Sequence, residues 1–198
     1  TALTTEQIRL GYQRRTQDLH IGFDVPAQSR VFSDTVNINL RLECLNVCPQ
    51  SGLRGRNNNA VRFSGAQGVR LNNTTNDHVT QLFTQAGRYT VSMWVQPSYY
   101  SQWVMGTNTG LYASTAPSLN MYIRPDGSVE MRRLINTTTN TYSTLVTSAS
   151  MPLNQWSHVL YSFDSKSERE TLIVNQIATS QRSEEHTSEL QSRVDISY

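Results

Sequence analysis

The sequence predicts an all-β protein, an antiparallel two-sheet sandwich or jelly roll. Composition is the first reason. Of the 198 residues 37% are apolar and only 16% charged, against about 25% charged in ordinary globular domains. Ser, Thr, Asn and Gln take the place of the missing charge. Such side chains suit the faces of sheets, whereas long surface helices need more Glu and Lys. The second reason is periodicity, since short stretches alternate apolar and polar residues at the period of a strand. The third is punctuation: turn residues separate these stretches at short intervals.

The elements follow in order. Residues 2–15 (ALTTEQIRLGYQRR) read as a short helix, with Thr4 or Thr5 able to cap it and Glu6 in its first turn. Leu19–Asp24 alternates, with Leu19, Ile21 and Phe23 on one face, and predicts a half-buried strand stopped by Pro26. Ala27 to Asn59 is polar and reads as surface loop with strand pieces at Val31–Phe32 and Val36–Leu42. Further strands are expected at Ala60–Phe63, Gly68–Leu71, Tyr89–Val95, Gln102–Gly106, Ser118–Arg124, Val129–Leu134, Tyr142–Val146, Gln155–Phe163 and Thr171–Val174. Tyr89–Val95 is the clearest: Tyr89, Val91, Met93 and Val95 face one way, Thr90, Ser92 and Trp94 the other. Pro125-Asp126-Gly127-Ser128 is a tight reversal between two of these strands.

Several function classes are disfavoured. The formal charge is +2 and the basic residues are scattered, Lys166 being the one lysine; nucleic-acid binding calls for a clustered basic stripe. No apolar run reaches the roughly 18 residues of a membrane-spanning helix. His20, His78 and His158 are too dispersed for a metal motif. No strand carries carboxylates in the spacing of a glycosidase pair, which must stand about 5–9.5 Å apart. Glu168 and Glu170 are two residues apart, but Asp164–Glu170 reads as a solvated polar turn. The expectation is therefore a protein that is not an enzyme. Asn72, Asn73 and Asn136 head N-x-S/T triplets, read as chance matches in a Thr/Asn-rich chain.

The ends carry their own expectations. The chain opens on Thr1 without a leader pattern, which reads as an interior piece or a processed form. From Arg182 it reads RSEEHTSELQS, which resembles the in-frame translation of a sequencing-library adapter. Residues 182–198 are accordingly set aside as non-native, and His186 with its neighbouring glutamates is not taken for a site.

Five segments in order, AVRFSGAQGVRL, YTVSMWVQP, LNMYIRPDGSVEM, LNQWSHVLYSFD and LIVNQ, resemble the laminin-G-like, concanavalin A-like lectin/glucanase jelly-roll domains of large bacterial surface and secreted proteins. The resemblance covers about Leu19 to Gln176. It implies a partial domain over 18–181, incomplete at its C-terminal end, with 1–17 the close of a preceding copy and a linker. It also implies an extracellular or cell-surface setting, with neighbouring domains of the same chain as partners. Trp94 and Trp156 match the family's core strands and are expected as framework. The resemblance places a small disulfide loop at Cys44 and Cys48, the only cysteines; free thiols, and a metal or redox role, are the other readings of a C-x3-C pair. Calcium is the one cofactor implied, with Asp24 and Asp34 at the acidic positions. Here Asp34-Thr35-Val36-Asn37 lacks the usual Ser-Gly, and two acids with Asn37 fall short of the about six to eight oxygens calcium takes.

Sugar binding is the sharper expectation. Tyr99, Tyr100, Trp103 and Tyr112 lie in or near loops between strands, where aromatic faces can stack on sugars while Asn and Gln supply hydrogen bonds. Packing at the sandwich rim is the competing role for Trp103 and one of the tyrosines. The function expected is a non-catalytic binding or adhesion module for glycan or protein. A structural spacer in a tandem array and an accessory domain of a carbohydrate-active enzyme are the alternatives.

Overall fold

The computed structural model describes residues 20–35, 41–65, 67–71, 88–106, 119–136, 139 and 141–182. The expected helix at 2–15, Leu19, most of Val36–Leu42, Tyr112 and the tail from 183 onward lie outside them. The chain divides into two units, Thr1–Asp77 and His78–Tyr198. The thirteen strands among the described residues are all antiparallel to their partners, and no helix is described.

The first unit holds β1 (Val31–Ser33), β2 (Arg41–Cys44), β3 (Gln50–Arg54), β4 (Asn59–Arg62) and β5 (Val69–Leu71). They form a β1-β2-β5 sheet and a β3-β4 hairpin. Phe32 is fully buried and packs edge-on against Phe23 at 5.4 Å. The strand expected at Leu19–Asp24 is reduced to one bridge, Ile21 to Asp34. The physical reason is local. The Asp34 carboxylate accepts the His20 N–H at 2.9 Å and the His20 carbonyl accepts from Thr35 N–H at 2.9 Å, so the segment is anchored by a side chain and not by a ladder. Strand β3 lies in the stretch read as loop. Its buried residue is Ser51, whose hydroxyl accepts from Ser29 N–H at 2.8 Å and donates to the Pro26 carbonyl at 2.9 Å. A buried serine leaves no apolar alternation to read. Gly52, at φ +73°, lets the backbone pass Ala27, where an added Cβ would stand 2.5 Å from its nitrogen.

The second unit is the sandwich. Its strands are β6 (Arg88–Val95), β7 (Gln102–Gly106), β8 (Leu119–Ile123), β9 (Ser128–Asn136), β10 (Thr141–Ser150), β11 (Ser157–Asp164), β12 (Arg169–Val174) and β13 (Ile177–Arg182). Two four-stranded sheets result, β10-β9-β8-β7 and β13-β12-β11-β6. Their inner faces share one core: Leu119, Met121, Ile123, Val129, Met131 and Leu145 from one sheet, Val159, Tyr161, Leu172 and Val174 from the other. Each such side chain contributes about 1.5–3 kcal/mol on burial. Alternation in β6 falls as expected, Tyr89, Val91, Met93 and Val95 packing inward.

Two expectations are corrected in this unit. Glu170 is not solvated. Strand β12 begins at Arg169, so Glu170 shares the inward face of Leu172 and Val174 and is 1% exposed. Its carboxylate meets Arg133 at 2.8 Å, accepts from the Ser143 hydroxyl at 2.9 Å, and lies 3.4 Å from the Gln181 amide. Trp94 is not framework. It is 45% exposed on the outward face of β6, beside His158 at 5.0 Å between ring centroids.

Candidate functional site

The site is built on the outward face of the β10-β9-β8-β7 sheet. Because Met121, Met131 and Leu145 point into the core, their strand neighbours point out. The register sets Trp103 opposite Tyr122 and Tyr122 opposite Glu130. In the next row Gly106 stands opposite Asn120, and Asn120 opposite Arg132. Trp103 is 39% exposed, and its ring lies 4.8 Å from that of Tyr122, tilted by 46°. The Arg132 guanidinium carbon sits 5.8 Å from the Trp103 ring centroid, within range of a cation–π contact.

Glu130 lies between two arginines. Arg132 Nε donates to Glu130 Oε1, and Arg124 Nη1 is 3.5 Å from Oε2. The carboxylate is nearly buried, while the Arg132 and Arg124 side chains are 38% and 42% exposed. A bulge between Trp103 and Met105 shifts the β7 register and sets the tryptophan on this face. At the β7 end Gly106 carries no side chain, and an added Cβ would come within 2.8 Å of Asn120 Oδ1. The Asn120 amide therefore lies over the glycine.

The sequence-predicted residues fall in different places. Trp103 stands on β7, the strand expected at Gln102–Gly106. Tyr99 is exposed in the bend before β7, and its carbonyl accepts from Gln102 Nε2 at 2.8 Å. Tyr100 turns inward: its hydroxyl donates to the Met151 carbonyl at 2.8 Å, and its ring covers Gly127. Gly127, at φ +81°, has no room for a Cβ, which would stand 2.8 Å from Tyr100 Cζ. Tyr100 thus braces the Pro125–Ser128 turn that leads into β9. Tyr112 lies outside the described residues. Tyr122, Glu130, Arg132, Arg124 and Asn120 carry no motif that marks them as site residues in the sequence. The alternation of Leu119, Met121 and Ile123 already assigns Tyr122 to the outer face, but only strand pairing brings it to Trp103.

In the first unit Cys44 and Cys48 form a disulfide, with Cα atoms 5.0 Å apart. The loop it closes borders an open concavity of about 620 Å³ that also touches Ala27, Arg30 and Ser51. Asp24 Oδ1 accepts from Asn59 N–H at 3.1 Å, and Asp34 Oδ1 from His20 N–H. Both carboxylates hold backbone in place, and no group of three or more His, Cys, Asp or Glu able to hold a metal occurs among the described residues. Among the described residues the donors gathered around Asp24 and Asp34 fall short of the about six to eight oxygens calcium takes.

Two antiparallel sheets sharing one core, with an aromatic and charged face turned outward, define an antiparallel β-sandwich. The sequence matches Laminin_G_3, the concanavalin A-like lectin/glucanases superfamily, over residues 63–192, about two thirds of its length. The chain belongs to this family. Among solved structures it is similar to a native heptameric SAP-like pentraxin from Limulus polyphemus, at 15% identity and a TM-score of 0.35. That similarity covers 48% of this chain and 43% of the pentraxin chain, less than half the length of either. No curated protein sequence matches. No helix among the described residues is long and apolar enough to cross a membrane.

Proposed function

We propose that the chain is a non-catalytic binding module that holds a glycan on the outward face of the β7–β10 sheet, within an extracellular or cell-surface protein of several domains. The observation that carries this reading is the exposed Trp103 packed against the half-buried Tyr122, with Arg132 over the indole and Asn120 in the next row. Aromatic surface takes the apolar face of a sugar ring, and a few fixed polar groups select its hydroxyls. Tyr100 supports the site by bracing a turn, and Tyr99 borders it.

The face is poorly equipped for hydrolysis. Glu130 is the only carboxylate on the four strands of this sheet among the described residues, and the same-face position two residues on is Arg132. A lone carboxylate held by two guanidiniums lacks the second carboxylate that glycoside hydrolysis uses. The Cys44–Cys48 disulfide supports an oxidising compartment.

The test is a glycan array with the 198-residue chain, followed by calorimetry on hits, for the native sequence and Trp103→Ala. Trp103→Ala is expected to weaken binding at least about tenfold, the scale of one lost stacking contact, with its thermal midpoint little changed. A folded chain that binds nothing on the array would instead be a spacer. Binding that Trp103→Ala leaves intact would move the site elsewhere.

A further inference from the structure

We infer that the glycan held on this face carries a carboxylate, as a uronic acid does; the inference rests on the glycan reading above. It begins with charge. Glu130 carries one negative charge, and Arg124 and Arg132 carry two positive ones. Among the described residues no other carboxylate lies within ion-pair distance of either guanidinium. Arg124 also lies in the field of the exposed Asp126 carboxylate, which leaves Arg132 as the cation that, among the described residues, has Glu130 as its one ion-pair partner. It is accessible, since both arginine side chains are more than a third exposed while Glu130 is nearly buried beneath them.

Geometry narrows the partner. The ion pair engages Arg132 through Nε, and its guanidinium carbon stands 5.8 Å from the Trp103 centroid. The guanidinium lies over the indole, so a sugar ring resting on the exposed part of Trp103 meets it directly. In a uronic acid the carboxylate is bonded directly to the ring. Its planar pair of oxygens matches the parallel N–H bonds of a guanidinium edge. A sulfate ester is tetrahedral and hangs from a further oxygen, which suits the fork less well. Glu130 then has a definite role: it orients both arginines while competing with the ligand for them.

The experiment is calorimetry on the 198-residue chain with oligogalacturonate, oligoalginate and hyaluronan oligosaccharides, each beside its methyl ester of equal length. Carrageenan oligosaccharides, which carry sulfate esters and no uronic acid, and the neutral members of the glycan array complete the set. At least one acid is expected to bind about tenfold tighter than its ester, the worth of one charge-assisted hydrogen bond. Added salt should erase that difference. Arg132→Gln should abolish the preference. Glu130→Gln/Arg132→Gln, which removes the pair together and spares the fold an unpaired charge, should abolish it too. Glu130→Gln alone should strengthen acid binding severalfold, whereas a merely structural glutamate would weaken it when lost. Equal binding of acid and ester, or tighter binding of carrageenan fragments than of every uronate, overturns the inference and leaves the glycan reading standing. Trp103-dependent binding of neutral glycans alone does the same. If no glycan of any kind binds, both fall.

Discussion

His158 illustrates how one residue's surroundings set a measurable property of the whole. It lies on β11 opposite Trp94, with its Nε2 2.8 Å from the Ser92 hydroxyl. Burial disfavours the imidazolium and holds its pKa below the ordinary 6.5. The sign follows from linkage. The unfolded chain takes up this proton at a higher pH than the folded one. The contribution to stability is therefore full above about pH 6.5 and is lost as pH falls through the lowered folded value. Thermal melts between pH 8 and pH 5 should show the midpoint dropping on the acid side. In His158→Gln that part of the slope should vanish; an unchanged slope would assign it to other groups. The alternation of Gln155–Phe163 places His158 opposite Val159, as found. Its tryptophan partner comes from a strand more than sixty residues earlier, and no local pattern announces that pairing.

At the scale of elements, the Glu170 cluster ties four strands from two sheets. Arg133 comes from β9, Ser143 from β10, Glu170 from β12 and Gln181 from β13. The Arg133 guanidinium also lies 3.9 Å over the Phe163 ring of β11. Burial alone would lower the arginine's pKa, but the Glu170 charge and hydrogen bond outweigh it and raise it. Removing one member of such a pair strands a buried charge. Glu170→Ala should cost about 3 kcal/mol in denaturant unfolding, and Arg133→Met/Glu170→Leu should recover most of it. A loss under about 1 kcal/mol in the single variant would show the pair to be solvent-screened. Strand β13 follows Val174 with little signal of its own in the sequence. Its two-residue turn, Asn175-Gln176, has both residues at positive φ, 48° and 75°, the geometry of the hairpin turn that usually displays Asn-Gly. With Gln in the second place the signal is missing, and the register Val174 to Ile177 is held by packing and by Asn175 accepting from the His158 N–H. Gln102–Gly106, by contrast, stands where the sequence places it.

For the whole molecule, stability and recognition are divided between different features. The disulfide lies in the first unit, and the apolar core and proposed ligand face in the second. A three-residue loop closed by a disulfide contributes roughly 2 kcal/mol by chain entropy. Reduction should therefore lower the unfolding free energy of the first unit by about that amount while leaving glycan affinity unchanged. Loss of binding on reduction would show that the ligand reaches the disulfide loop. Composition and alternation by themselves determined the class of fold, most strands of the second unit and which side chains of β6 and β8 point inward, because burial at period two is written locally. The meeting of Trp103 with Tyr122, the bracing role of Tyr100, the burial of Glu170 and the two arginines on Glu130 were decided by tertiary structure. Each depends on register between strands apart in sequence, and a polar residue satisfied by a distant partner looks, along the chain, the same as one facing water.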